Sequence, residues 1–375
     1  MKKLFGILSF MLCATPMVYA QADGIVSHDS SDVAMRLNGA TMGKVIDSGS
    51  CGKNVNYELY DDYTLRIFGN GAMYNFDYFY SGAELYPNVP WVSWISKIKS
   101  IVIEDGVTRI GSGAFMKCSS LTDVNISNSV KSIGGNAFAY CSSLEKINIP
   151  NSVTSIGTGA FCFCSSLVEA NLQDGIVTIS ESAFSNCSSL AHVNIPNTVT
   201  NIGGSAFNGC TSLTEIIIPD AVTSIDEAAF ANCDNLEYVK IGKGITTIND
   251  CVFLLYHTNP NVKTVIEFTA ETPVTLASVV YFDQVYNNNA FADPENVIIR
   301  VPETMLDYYR SAEDWSRYKE SFSGYRTTSI SSVDNGQSAM KADVVYDLQG
   351  RRVTEMLPNR IYIVNGKKVV NKFRD

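Results

Sequence analysis

Six of the ten cysteines recur at a spacing of 23 residues, and thiols are the groups in this sequence best suited to covalent chemistry. They could pair as disulfides, ligate zinc or act as nucleophiles. Neighbouring copies of a repeat point their side chains the same way, whereas a disulfide needs Cβ vectors that face each other. The column is therefore expected to hold buried thiols that act as small apolar fillers. Its members are Cys118, Cys141, Cys164, Cys187, Cys210 and Cys233.

Three more cysteines, Cys51, Cys162 and Cys251, stand outside this column, and Cys13 lies in an N-terminal apolar stretch. If residues 1–20 are removed, nine cysteines remain, and an odd number cannot all pair within one chain. A disulfide, if one forms, is expected among the three that break the pattern. The sequence leaves that question open.

Other residue patterns that support catalysis or metal binding are missing from the sequence. The three histidines, His28, His192 and His257, have no metal-binding spacing with cysteine or with one another. The chain has no nucleophile elbow, phosphate loop or dinucleotide fingerprint. Adjacent carboxylates at 61–62 and 226–227 lack a third ligand at a useful spacing. The sequence therefore predicts no enzyme, no cofactor and no metal site.

The cysteine column belongs to a longer repeat. A phenylalanine lies three residues before each cysteine, a leucine three residues after it, and an isoleucine five residues before each phenylalanine. Seven copies in one register predict a leucine-rich-repeat solenoid, mainly β with short helical or 3-10 turns. Each rung can bury its apolar residues only against its neighbours. The phenylalanines are Phe115, Phe138, Phe161, Phe184, Phe207, Phe230 and Phe253.

Each copy also contains one short strand with two distinct faces. The segment from Leu144 to Ile149 follows the pattern L-x-x-L-x-L. Side chains alternate along a strand, so Ile147 and Ile149 are expected to enter the core while Lys146 and Asn148 point outward. The outward positions of successive copies should therefore form continuous columns on one surface.

The N-terminus has the features of an export signal. Two lysines precede an apolar stretch over residues 4–18, and a small residue, Ala20, follows it. This order is typical of a secretory signal peptide over residues 1–20, here followed by a leader over 21–48. The protein is therefore expected to be secreted or displayed at the cell surface. Its net charge of −10, with no basic stripe, argues against nucleic acid and anionic membranes as partners. No other apolar run is long enough to span a membrane.

The remaining chain divides into five predicted parts: an N-terminal β cap over 49–97, the repeat array over 98–253, an exit segment over 254–325, a polar linker over 326–341 and a β module over 342–375. The exit segment contains a degenerate last repeat and an amphipathic capping helix. The β module contains an Asn-Gly turn between apolar runs, which predicts a hairpin. The helix prediction rests on Met305, Tyr308, Ala312, Trp315, Tyr318 and Phe322.

The repeat G-x-x-A-F-x-x-C-x-S-L-x-x-I-x-I-P resembles the BspA-like class of bacterial surface leucine-rich repeats, and the resemblance extends over residues 49–325. The tail, with Val345–Arg352 and Ile361–Lys368, is similar to a C-terminal module of exported Bacteroidetes proteins that is akin to secretion and sorting domains. The resemblance implies a cell-surface binding protein. Some members of this class are adhesins for host matrix proteins.

Candidate ligand-facing residues come from the outward columns of the strands. Stacked asparagines could simply support the register as a solvated amide ladder, or they could form a ligand platform. At one end of the columns an apolar, an aromatic and a basic group come together, and this mixture is typical of an interaction hot spot. The candidates are Asn125, Asn148, Asn171, Asn194, Lys146, His192, Ile217, Tyr238 and Lys240.

We therefore expect an exported, non-catalytic protein that binds an extracellular protein, of the host matrix or of a neighbouring cell, through the concave strand surface. Two alternatives stay open. One is a structural or scaffold role in the envelope without a soluble ligand. The other is glycan binding, which needs aromatic platforms that the outward columns offer only at Tyr238.

Overall fold

A computed structural model describes residues 36–37, 40–41, 43–81, 84–256, 263–277, 279–281, 284–286, 290–291 and 293–325, together with the backbone of four short strands beyond residue 344. The chain forms two compact units, Met1–Arg326 and Thr327–Asp375. The expected signal peptide, most of the leader and the linker lie outside the described residues.

The segment before the array forms an antiparallel sheet that passes directly into the array. Its strands β3, β4 and β5 pair antiparallel, and β5 then pairs parallel with the first long strand of the array. The described elements are β1 Arg36–Leu37, β2 Ala40–Thr41, β3 Val45–Gly52, β4 Val55–Tyr60, β5 Thr64–Gly69, β6 Gly71–Ala72, β7 Tyr78–Ser81, β8 Glu84–Pro87 and a 3-10 helix at Val92–Trp94.

Each rung of the array contributes two strands, because two apolar stretches alternate with turns in every copy. We call the first the long strand, which has four residues except in β17, and the second the short strand, which has two residues except in β10. These strands are β9 Ser100–Ile103, β10 Val107–Ile110, β11 Asp123–Ile126, β12 Ser132–Ile133, β13 Lys146–Ile149, β14 Ser155–Ile156, β15 Glu169–Leu172, β16 Thr178–Ile179, β17 His192–Val193, β18 Asn201–Ile202, β19 Glu215–Ile218, β20 Ser224–Ile225, β21 Tyr238–Ile241 and β22 Thr247–Ile248. The predicted solenoid is confirmed.

The exit segment continues both sets of strands and then folds over the end of the array. Its described elements are β23 Thr264–Phe268, β24 Thr275–Leu276, β25 Val279–Tyr281, β26 Gln284–Tyr286, a 3-10 helix at Pro294–Asn296, β27 Val297–Pro302, a 3-10 helix at Glu303–Met305, α1 Leu306–Ser311, a 3-10 helix at Ser316–Ser321 and β28 Phe322–Tyr325.

The exit segment does not contain the single amphipathic helix that the spacing predicts. The α-helix has six residues and ends at Ser311, and the backbone of the next residue, Ala312, is extended. Tyr308, expected to face the core, is 40% exposed, while Tyr309 and Trp315 are fully buried. These two buried residues are six positions apart and would lie on different faces of one continuous helix. The break lets both rings reach the core.

The short strands form one continuous sheet, whereas the long strands form three. The nine-stranded sheet has the order β24-β22-β20-β18-β16-β14-β12-β10-β6. The long strands have the orders β11-β9-β5-β4-β3, β13-β15-β17 and β19-β21-β23-β27-β28. Within the described residues 84–256, backbone pairing of the long strands is therefore interrupted between β11 and β13 and again between β17 and β19.

A single stack of aromatic rings runs through the core. Neighbouring phenylalanine rings of the repeat lie 5.1–5.4 Å apart between centroids, and from Phe138 onward they are within 7° of parallel. Phe291 continues the stack beyond Phe253 at 5.8 Å. Trp91 and Trp315 close its two ends. All these rings are at most 1% exposed, so they form the centre of the core.

The cysteine column consists of buried thiols, as predicted, but it also makes hydrogen bonds. The nine cysteines of the described part are free. From Cys141 to Cys233, each column thiol donates to the carbonyl of the phenylalanine in the preceding rung, at 3.1–3.3 Å between Sγ and O. The column therefore ties neighbouring rungs together in addition to filling space.

The second unit contains four short strands: β29 Val345–Tyr346, β30 Arg352–Val353, β31 Ile361–Val364 and β32 Lys367–Val370. Their order is β30-β29-β31-β32, and all the pairs are antiparallel. Strands β31 and β32 pair with Val364 opposite Lys367. The residues of the predicted Asn-Gly turn lie outside the described part.

Candidate functional site

The outward side chains of the long strands form a surface that we call the strand face. Along β13 the burial pattern alternates, with Lys146 and Asn148 exposed and Ile147 and Ile149 buried. The same alternation occurs on β19, where Ile217 is exposed between two buried isoleucines. The strands therefore present the predicted candidate residues to solvent.

The middle one of the three long-strand sheets, β13-β15-β17, carries a polar cluster centred on Glu169. Its carboxylate accepts an ion pair from Lys146 at 2.7 Å and a hydrogen bond from the Asn171 amide at 2.8 Å. The Asn171 amide also donates to Asn148 at 2.8 Å. Hydrogen bonds from Lys146 and then Asn171 lower the pKa of Glu169 below its usual value. The cluster is therefore satisfied within the sheet.

The four candidate asparagines do not form one row. The Asn194 side chain takes the place of a backbone partner on the neighbouring strand. It donates to the Leu172 carbonyl at 2.8 Å and accepts from the Leu172 backbone N–H at 3.3 Å. Asn125 lies on β11, in a different sheet, opposite Val102. His192 is exposed and lies opposite Glu169. The amide ladder weighed from the sequence is thus limited to Asn148 and Asn171.

The last of the three long-strand sheets, β19-β21-β23-β27-β28, carries a different surface. It is apolar at β19 and charged on the strands that follow. Ile217, Lys240, Glu267 and Arg300 lie opposite one another on four successive strands. Ile217 is 47% exposed. Arg300 pairs with Glu267 at 3.0 Å between Nη1 and Oε2, and it lies 5.5 Å from the ring of Tyr325. The predicted cluster of Ile217, Tyr238 and Lys240 therefore extends into the exit segment.

A second row accompanies the first on the last sheet. Glu215, Tyr238, Val265 and Ile298 lie opposite one another, and each is half-buried. Val265 and Ile298 were missed from the sequence because the period fails after Phe253. Burial alternates from Val297 to Val301, but it does not alternate along Thr264–Phe268, where four of the five residues are buried. Alternation is therefore a signal for Ile298 and not for Val265.

The first sheet has an ion-pair network on its outward side. The Arg66 guanidinium donates to both carboxylate oxygens of Glu104, at 2.8 and 2.9 Å, and to Glu58 at 2.9 Å. Burial lowers the Arg66 pKa, but the bonds to Glu104 and Glu58 outweigh this effect and raise it overall. Three hydrogen bonds to two carboxylates therefore hold the guanidinium, and with it this end of the strand face, in one geometry.

The described residues contain no group of three or more histidine, cysteine or acidic side chains that could hold a metal ion. None of the helices in the described part has the length and hydrophobicity needed to span a bilayer. The strand face, formed from rungs of constant register, is the surface on which the candidate residues lie.

Each regular rung has a buried Ala-Phe pair followed by a buried cysteine and leucine. This repeated pattern is the part of the chain that matches a known protein family. Residues 93–211 and 131–261 match the BspA type leucine-rich repeat region in six copies. Over residues 93–261 the array is therefore similar to the BspA type leucine-rich repeat region. Among curated proteins a comparison finds no match.

Solved bacterial leucine-rich-repeat structures are similar to this chain. A leucine rich cell surface protein from Faecalibacterium prausnitzii is 22% identical, with 78% of this chain and 100% of that chain covered and a TM-score of 0.31. A leucine-rich repeat protein from Eubacterium ventriosum is 20% identical, with coverage of 69% and 79% and a TM-score of 0.31. The pneumococcal vaccine antigen PcpA is 15% identical, with coverage of 76% and 98% and a TM-score of 0.27. These likenesses carry nothing about function.

Proposed function

We propose that this protein is an exported surface protein that binds an extracellular protein through its strand face, with the contact centred on Ile217, Tyr238 and Lys240. The observation that carries the proposal is the 47% exposure of Ile217 on β19, the strand at one edge of the last sheet. A large apolar side chain displayed beside an aromatic and a cationic one is typical of the centre of a protein interface.

The rigidity of the array supports this proposal. The strands that carry these residues pair in register, and their inward side chains pack on a continuous aromatic core. A surface held in one geometry loses little conformational entropy on binding, so more of the contact energy appears as affinity. Strands spaced by about 4.8 Å also present a surface roughly 30 Å long, which suits a partner protein.

The N-terminal and C-terminal segments support a place outside the cell. The basic and apolar order of residues 1–20 suits secretion, and the tail over 342–375 suits sorting or attachment. With both, the array would be displayed to host matrix or to neighbouring cells, and the function would be adhesion.

A binding screen of the intact protein against purified extracellular-matrix proteins tests this proposal. Ile217→Ser and Tyr238→Ser should each weaken a bound partner by roughly tenfold or more, because they remove the centre of the contact. Asn125→Ser is the matched control, since Asn125 is exposed on a different sheet, and it should change nothing. Equal affinity in all the variants would show that the partner does not bind at the last sheet.

A further inference from the structure

A groove of about 600 Å³ lies away from the strand face, between the β7–β8 hairpin and the turns that follow the Ala-Phe pairs of the first rungs. We call it the aromatic groove and define it by Phe79, Tyr86, Lys117, Tyr140 and Phe163. Its volume is within the range of small-ligand sites. None of its residues belongs to the columns from which the strand face was predicted.

Two stacked pairs of rings line the groove. Tyr140 and Phe163 occupy equivalent positions in consecutive rungs, and their rings are 4.7 Å apart and within 2° of parallel. Phe79 and Tyr86 lie opposite each other in the hairpin, with centroids 5.9 Å apart and planes 26° apart. The ammonium of Lys117 lies 4.1 Å from the Tyr86 ring centroid and links the two sides. The groove therefore has fixed aromatic walls.

Tyr140 and Phe163 of the groove pack on a small apolar cluster that is separate from the main core. Met116, Ala139 and Cys162 are buried there, and Leu85 of the hairpin packs against them. These three residues follow the core phenylalanine in their rungs, whereas the next two rungs have Ser185 and Asn208 at that position. The cluster is thus a local feature of the first three rungs and not a property of the repeat.

Three residues at the groove have a backbone conformation that glycine and asparagine adopt more readily than bulky residues do. Lys117, Tyr140 and Phe163 have left-handed backbones with φ of 63°, 62° and 60°. At the same position later rungs have Asn186, Gly209 and Asn232, which accept that conformation readily. Bulky side chains held in such a conformation mark functional sites more often than ordinary turns.

From this arrangement we infer that the aromatic groove binds an oligosaccharide. The faces of aromatic rings carry partial negative charge, and the axial C–H groups of a pyranose ring carry partial positive charge, so the two stack. Serine hydroxyls and the Lys117 ammonium supply the hydrogen-bonding groups that sugar hydroxyls need. The serines are Ser81, Ser96, Ser119 and Ser142.

The composition of the groove argues against other ligand classes. A lipid or a purely apolar peptide would cover the serine hydroxyls without replacing their bonds to water, which is unfavourable. A nucleobase would also stack, but nucleic acid requires a basic surface, and this chain has a net charge of −10. A saccharide, apolar on its ring faces and polar at its edges, matches both parts of the lining.

The test is a calorimetric titration of the intact protein with cellohexaose, mannohexaose, chitohexaose and a hyaluronan hexasaccharide. We expect at least one of these to bind. The double substitution Tyr140→Asn with Phe163→Asn should weaken that binding by about tenfold or more, because both stacked faces are lost. Asparagine is the residue of later rungs at this position, so the variant should fold with an unfolding temperature equal to or above that of the parent.

Ile217→Ser is the control for the strand face and should leave saccharide binding unchanged, so failure here and failure of the proposed protein binding are distinguishable. Three results would overturn the inference: no binding of any of the four probes up to about 5 mM, equal binding by the folded double variant, or binding only of an aromatic-rich peptide used as a comparison ligand.

Discussion

The indole rings of Trp91 and Trp315 close opposite ends of the same aromatic stack. Trp91 lies 5.8 Å from Phe115, and Trp315 lies 5.7 Å from Phe291. Each indole N–H donates to a backbone carbonyl, of Ala114 at 3.1 Å and of Val274 at 2.8 Å. The two caps are therefore built by the same device, although one is an antiparallel sheet and the other a broken helix.

The stack should dominate the stability of the array. Phe184 is fully buried between Phe161 and Phe207, and Phe184→Ala should cost about 3–5 kcal/mol through loss of contacts and the cavity it leaves. Asn171→Ala on the strand face should cost less than about 1 kcal/mol. Denaturant unfolding measures both. Equal losses would mean that the inward and outward faces are reversed.

The exit cap should depend on the buried Trp315 and not on the exposed Tyr308. Trp315→Ala removes the last ring of the stack and should cost about 3–5 kcal/mol. Tyr308→Ala is the matched control, because Tyr308 is 40% exposed and its loss should cost under about 1 kcal/mol. Thermal unfolding of the two variants separates the two cases. A larger loss for Tyr308 would contradict the observed break in the helix.

The cysteines should be unreactive in the native protein and reactive after denaturation. Burial raises the pKa of Cys51, Cys162, Cys233 and Cys251 to about 12 in each case, and the thiolate is the form that reacts. A thiol reagent at neutral pH should therefore titrate few groups in the folded state. In denaturant without reductant it should titrate at least the six of the column. A count of one would show that eight are paired.

Lys146→Ala should raise the pKa of Glu169, because its ion pair is the main cause of the lowered value. A lowered folded-state pKa adds stability above the unfolded pKa, and this stability is lost as the pH falls through the folded pKa. The Glu169 side chain is 30% exposed, so the effect on stability should be small. NMR titration of the carboxylate measures the shift. Lys240→Ala, on another sheet, is the control and should leave it unchanged.

Deleting residues 342–375 should leave the thermal unfolding of the solenoid nearly unchanged, because Trp315 already covers the end of the stack. The same deletion should change where the protein accumulates in its native cell, since the tail is proposed to serve sorting or attachment. Microscopy or cell fractionation gives the location. A truncated protein that loses several degrees of stability but keeps its location would make the tail a cap.

The core could be predicted from the sequence because burial follows the period. Phe184, Cys187 and Leu190 recur in every regular copy, and each is fully buried. Alternation within a strand likewise separates Ile147 from Asn148. Both rules depend only on local backbone geometry, which repeats when the residues repeat.

Features that depend on contacts between distant segments could not be predicted in this way. Beyond Phe253 the next ring of the stack, Phe291, comes more than 23 residues later, so the period no longer marks the strands on which Val265 and Ile298 lie. The groove needs Phe79 of the hairpin beside Tyr140 of the second rung, and no spacing in the sequence relates them. Asn194 was predicted to face a ligand, but its side-chain amide bonds to the Leu172 carbonyl in place of a backbone partner. The sequence pattern does not show this bond.

The interruptions between β11 and β13 and between β17 and β19 give the array an uneven mechanical character. On one side, nine short strands are joined by an unbroken backbone ladder and act as a spine. On the other side, the long strands lose that ladder at two places within residues 84–256. At these joints the rungs are held by the thiol bonds of Cys141 and Cys210, by backbone bonds between the turns and by side-chain packing. Tension along the axis should therefore separate the long strands at these two joints before it extends the spine.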